Sequence, residues 1–115
     1  MPFGGEYSAR TPGEARVFSF DFFNDLSAGD VIVSAETTLA VRKGADPNAS
    51  TLLIGSPTIL AGLGPASVVA QMIGSNPANP AGFVADTVYL WTINAQTRNG
   101  ETLMWDEWIP ILDVI

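Results

Sequence analysis

Two kinds of position alternate along residues 88–111. Tyr89, Trp91, Ile93 and Ala95 take every second place, with Leu90, Thr92, Asn94 and Gln96 between them. A period of two puts successive side chains on opposite faces of a sheet. Leu103, Trp105, Ile109 and Ile111 return on a second run, and Asn99-Gly100 lies between the two. Both of those residues tolerate the positive φ of a tight turn, so the segment reads as one long β-hairpin.

The same patterning recurs upstream. Val17, Phe18, Phe20, Phe22 and Phe23 open a first strand, and residues 24–29 form a polar connection whose turn is Ala28-Gly29-Asp30. Residues 31–41 form a second strand. Val31, Val33, Ala35, Thr37, Leu39 and Val41 share one of its faces, and Ile32, Ser34, Glu36, Thr38 and Ala40 share the other. Residues 43–50 read as a loop. Residues 51–54 and 58–61 read as two short strands, separated by Gly55-Ser56-Pro57. Residues 67–73 form a strand apolar on both faces, and residues 74–82 form a loop of some length. About seven strands, with turn signals between them and no helical period, predict an all-β antiparallel sandwich. Its inner faces are expected to include Val31, Val33, Leu39, Tyr89, Trp91, Ile93, Leu103 and Trp105. Residues 1–15 are rich in glycine and proline and lack periodicity. They read as an extended arm that orders only against a neighbour, or not at all, ahead of one domain over residues 16–115.

Charge and composition narrow the function. The 115 residues include 12 acids and 5 bases, for a net charge of -7. Arg10, Arg16, Arg42, Lys43 and Arg98 are the bases, and only Arg42-Lys43 is contiguous. Binding a phosphate backbone calls for a basic stripe, so no direct contact with nucleic acid is expected. Cysteine and histidine are both absent. That removes disulfides, thiolate metal sites and the commonest acids, bases and activated nucleophiles. Carboxylate pairs remain, but the adjacent Asp106-Glu107 would point to opposite faces of a strand and could not flank one bond. No catalytic, cofactor-binding or metal-binding residues are expected, and no enzymatic activity.

Residues 1–6 lack a charged region followed by an apolar block, and runs such as Val68-Val69-Ala70 fall far short of a membrane span. The expected product is soluble, made in the cytoplasm and independent of membranes. Hydrophobic residues make up 47% of the chain, and the mean hydropathy is +0.25. A domain this small cannot bury all of its apolar side chains, so part of the surplus is expected to meet a partner.

Three further constellations carry possible chemistry. Asp46, Asn48 and Ser50 have the alternate spacing of oxygen ligands in a calcium loop, but the glycine and bidentate glutamate of such loops are missing, and turn chemistry accounts for them. Asn48-Ala49-Ser50 matches a glycosylation sequon but has no secretory signal to give it meaning. Trp91, Trp105 and Trp108 could form a sugar-stacking platform. The alternation instead assigns Trp91 and Trp105 to the core and gives Trp108 the opposite parity. Tyr89 could anchor a strand end through its hydroxyl, as tyrosine corners do.

Read end to end, the chain resembles a family of small tailed-phage proteins of the fiber–tail adaptor type, which have an immunoglobulin-like β-sandwich. The resemblance runs through Phe20-Asp21-Phe22, Leu26, Gly29-Asp30-Val31-Ile32 and Ser34-Ala35. It continues at Gly55-Ser56-Pro57-Thr58-Ile59, Gly62 and Gln71-Met72-Ile73-Gly74, and closes at Tyr89-Leu90, Thr97, Gly100, Leu103 and Ile109-Pro110-Ile111. It covers most of residues 18–111. Residues 76–82 are longer than the compact turn of that pattern, and Glu36-Thr37-Thr38 is more polar. The resemblance implies a virion structural component at the tail or neck, linking other phage structural proteins and copies of itself, with no catalytic residues. The alternatives are a carbohydrate-binding module and an immunoglobulin-like head decoration protein. Under the adaptor reading, the outer face of residues 68–73 or of residues 88–93 is expected to lie against a neighbour, together with the arm.

Overall fold

The computed structural model describes residues 12–111. They form six strands in order: β1 (Ala15–Asp21), β2 (Ile32–Lys43), β3 (Leu53–Leu60), β4 (Val68–Gly74), β5 (Val88–Thr97) and β6 (Thr102–Pro110). The strands make two antiparallel three-stranded sheets, ordered β1-β4-β3 and β2-β5-β6. Short 3-10 turns at Phe23–Asp25 and Ala49–Leu52 carry the chain between the sheets.

The core lies between the inner faces. Phe18, Val69 and Ile73 come from one sheet, and Ile32, Leu39, Tyr89, Trp91, Ile93 and Ile109 from the other, all buried. Phe20 stacks on Trp105 with ring centroids 3.9 Å apart, which closes the seam between β1 and β6. Leu103 and Trp105 are partly buried against the core, on the expected face.

The hairpin expected at residues 88–111 is β5 and β6, with Tyr89 opposite Ile109 and Ile93 opposite Trp105. Its turn differs in detail. Gly100 alone is left-handed (φ 87°), and its N–H donates to the Thr97 carbonyl at 3.0 Å. That geometry widens the connection beyond a two-residue turn, so Asn99 need not adopt a positive φ.

Two inner-face expectations fail. Val33 is 56% exposed, and Val31 is half-buried just ahead of β2. A bulge explains both: Ile32 pairs with Thr97 while Ser34 pairs with Gln96, leaving Val33 as an extra residue. One inserted residue exchanges the two faces of everything before it, so Ile32 points inward in place of its neighbours.

The strands number six among the described residues, against about seven expected, because residues 51–54 and 58–61 belong to one element. Ile54 pairs with Met72 and Thr58 with Ala70, so Gly55, Ser56 and Pro57 together face Gln71 across a wide bulge in β3. Gln71 holds that bulge. Its side-chain nitrogen donates to the carbonyls of Ile54 (2.9 Å) and Gly55 (3.2 Å). Its oxygen accepts from the Thr37 hydroxyl at 2.9 Å, a hydrogen bond that crosses from one sheet to the other. A buried amide is costly unless its hydrogen bonds are made, and here both ends are engaged.

Of the arm expected over residues 1–15, residues 1–11 lie outside the described residues. Beyond them, the carbonyls of Pro12 and Glu14 accept from Phe83 and Ser75. These bonds tie the approach to β1 to the crossover between β4 and β5.

Candidate interaction surface

The outer face of the β1-β4-β3 sheet is set by its register. Val17, Met72 and Ile54 form one row across the three strands; Ser19, Ala70 and Thr58 form the next; Asp21, Val68 and Leu60 form the third. Val17 is 60% exposed, Leu60 46% and Met72 38%. Ile54 and Val68 are half-exposed beside them. The Asp21 carboxylate at the end of the third row is engaged, accepting from the backbone N–H groups of Leu63 (2.9 Å) and Phe23 (3.0 Å). What remains outward is a surface of aliphatic side chains with small residues along its middle, and Leu63 stands exposed at the adjoining turn. β4 is therefore apolar on both faces because one face fills the core and the other is presented outward.

The outer face of the other sheet is polar at its centre. Thr38, Thr92 and Asp106 make one row, and Glu36, Asn94 and Met104 the next. Toward the start of β5 the same face is apolar, with Val88 and Leu90 half-exposed and Trp108 opposite Leu90. The apolar outer face expected over residues 68–73 is thus present on β4, and the one expected over residues 88–93 is present in part.

The candidate chemical groups are dispersed. Glu107 is buried on the inner face of β6 and accepts from the Trp105 indole N–H at 2.8 Å, while Asp106 points outward. The two carboxylates thus take opposite faces. Burial pushes the Glu107 carboxyl above the usual range, and the Trp105 N–H offsets this only in part. Among the described residues, no group of three acids could hold a metal ion.

Asp46 is engaged through both oxygens. One accepts from the Asn48 backbone at 2.9 Å, as a turn-forming aspartate does. The other accepts from the Tyr89 hydroxyl at 2.6 Å. That hydroxyl in turn accepts from the Val84 N–H at 2.9 Å. Burial, and then the Asp46 carboxylate, push the Tyr89 phenol well above its ordinary value. Tyr89 therefore anchors the start of β5 to two loops.

Trp91 is fully buried, Trp105 lies under Phe20, and Trp108 is 42% exposed. No flat row of exposed indoles forms among the described residues. Arg42 lies over the Trp108 ring, 5.1 Å from its centroid. This meeting of β2 and β6 was not legible in sequence, because it depends on a bulge and on pairing between distant strands.

Comparison with protein-family models, with curated proteins and with solved structures finds no match for this chain.

Proposed function

We propose that the chain is an immunoglobulin-like sandwich serving as a structural adaptor in a tailed-phage particle. It would link tail, neck or fiber components, and copies of itself, through protein–protein contacts and without catalysis. The phage setting rests on the resemblance described above. Two structural features support the immunoglobulin-like reading. The order β1-β4-β3 opposite β2-β5-β6 matches strands B-E-D and C-F-G of the constant-type arrangement. Tyr89, at the start of the strand equivalent to F, binds back to the preceding crossover as a tyrosine corner does.

The observation that carries the adaptor role is the outer face built from Val17, Ile54, Leu60, Val68 and Met72. Exposed aliphatic side chains gathered on one face mark an interaction surface rather than ordinary scatter. The experiment is to purify particles carrying the double variant Leu60→Glu, Met72→Glu and to locate the protein in wild-type particles by cryo-electron microscopy. The reading expects the wild-type chain at the tail or neck with this face covered. It also expects the variant to fold, by circular dichroism, yet fail to incorporate. Incorporation at the wild-type level, or a position on the head surface, would reject it.

A further inference from the structure

We propose that the outer face of the β2-β5-β6 sheet carries a second docking site, a cationic notch that takes an acidic, apolar segment of a partner protein. The proposal rests on the adaptor reading in one respect: a protein that joins two components needs a surface for each. The notch lies on the sheet opposite the aliphatic face, so the two could be occupied together.

Its geometry comes from the second bulge in β2. Val41 pairs with Tyr89 and Lys43 with Val88, leaving Arg42 as the extra residue. In a regular strand, residues 42 and 43 would point to opposite faces. The bulge instead leaves both lining one notch of about 350 Å³, with Val88 and Trp108. Two of the chain's five basic residues therefore meet at one place, in a protein of net charge -7. Neither Arg42 nor Lys43 forms an ion pair among the described residues.

The chemistry of the notch selects its occupant. Its place over the Trp108 ring holds the Arg42 guanidinium at the notch, where its N–H groups can make a two-pronged bond to a carboxylate. Lys43 adds a point charge, and Val88 with the indole supplies an apolar wall. Carboxylates alternating with aliphatic side chains in an extended segment satisfy all four residues. A sugar ring would need the indole face that Arg42 already covers, which favours a protein segment over an acidic glycan.

The test titrates full-length, isotope-labelled protein with acetyl-Glu-Leu-Glu-Leu-Glu-amide, with its glutamine counterpart and with a glucuronate oligosaccharide, followed by NMR. The expected result is saturable shifts centred on Arg42, Lys43, Val88 and the Trp108 indole, with a dissociation constant below about 1 mM at low salt. The glutamine peptide, and the variants Arg42→Gln and Lys43→Gln, should each bind about tenfold more weakly or worse, as expected when a charge-assisted pair is lost. Arg42→Lys should recover only part of the loss, and Arg16→Gln should bind as wild type. Absence of saturable shifts, indifference to Arg42→Gln, or tighter binding of the glucuronate would overturn the proposal. The readout does not involve particle incorporation, so its failure would leave the aliphatic face and the adaptor reading standing.

Discussion

The rings of Phe18 and Trp91 meet between the two sheets, with centroids 6.2 Å apart and planes inclined by 57°. In the immunoglobulin arrangement proposed here, Trp91 takes the place two residues after the corner tyrosine, where a cysteine would bridge to the opposite sheet. The chain has no cysteine. A ring contact thus occupies the position of the covalent link, and the sheets are joined by packing and by the Thr37–Gln71 hydrogen bond in place of a disulfide. Trp91→Ala should cost about 3–5 kcal/mol, the usual penalty for emptying a buried aromatic site. Urea melts would measure it, and a loss below about 1 kcal/mol would remove Trp91 from the core.

Gln71 should be as sensitive as a hydrophobic core residue. Gln71→Leu keeps similar bulk but leaves the Thr37 hydroxyl and the Ile54 carbonyl without their partner. Each stranded polar group costs about 1–3 kcal/mol, so a combined loss of roughly 2–6 kcal/mol is expected. Hydrogen exchange should also quicken in β3 around Gly55. An unchanged exchange pattern would show that the bulge holds without the clamp.

Tyr89→Phe removes one oxygen that serves two loops. The Asp46 carboxylate and the Val84 N–H each lose a bond, and stability should fall by about 1–3 kcal/mol. Exchange should rise at residues 46–48 and 84 while β5 itself stays protected. Equal loosening along all of β5 would contradict a local anchoring role.

Acid should act on Glu107 and Asp21 in opposite directions. Burial holds the Glu107 carboxyl above its unfolded value, so its charged form costs stability at neutral pH. The cost is relieved as pH falls through the raised value and is gone below the unfolded one. For Asp21, burial opposes ionisation, but the Leu63 N–H, the Ser67 hydroxyl and the Phe23 N–H outweigh it and hold the carboxyl below its usual value. Its contribution is present above an unfolded value of about 3.9 and fades as pH falls through the lowered one. Glu107→Gln, which keeps an acceptor for the Trp105 indole, should therefore be more stable than wild type at pH 7. The advantage should shrink as pH falls toward about 4. Denaturant midpoints at pH 7 and 5 test this, and a pH-independent difference would contradict it.

Legibility in the sequence followed continuity of pairing. β5 and β6 run against each other without a register shift, so parity counted from Tyr89 places Trp91, Ile93, Leu103 and Trp105 correctly on the inner face. β4 is also regular, and its two apolar faces were readable from Val68, Ala70 and Met72 set against Val69 and Ile73. β2 and β3 carry bulges, and each bulge resets parity. Neither Val33 nor Arg42 is marked as an inserted residue by its type. Gly55-Ser56-Pro57 is marked, but the same signal reads equally as a break between two strands. Only the position of Gln71 across the sheet shows that the strand continues. The Arg42–Trp108 notch was hidden for the same reason, because it joins a bulged residue to a strand some 65 positions later.

The irregular edges also bear on how copies can associate. β2 is kinked at both ends, β3 is interrupted by a bulge containing Pro57, and β6 points Glu107 inward and ends at Pro110. At these three edges such features discourage strand-to-strand addition, the route by which β proteins grow into open-ended fibres.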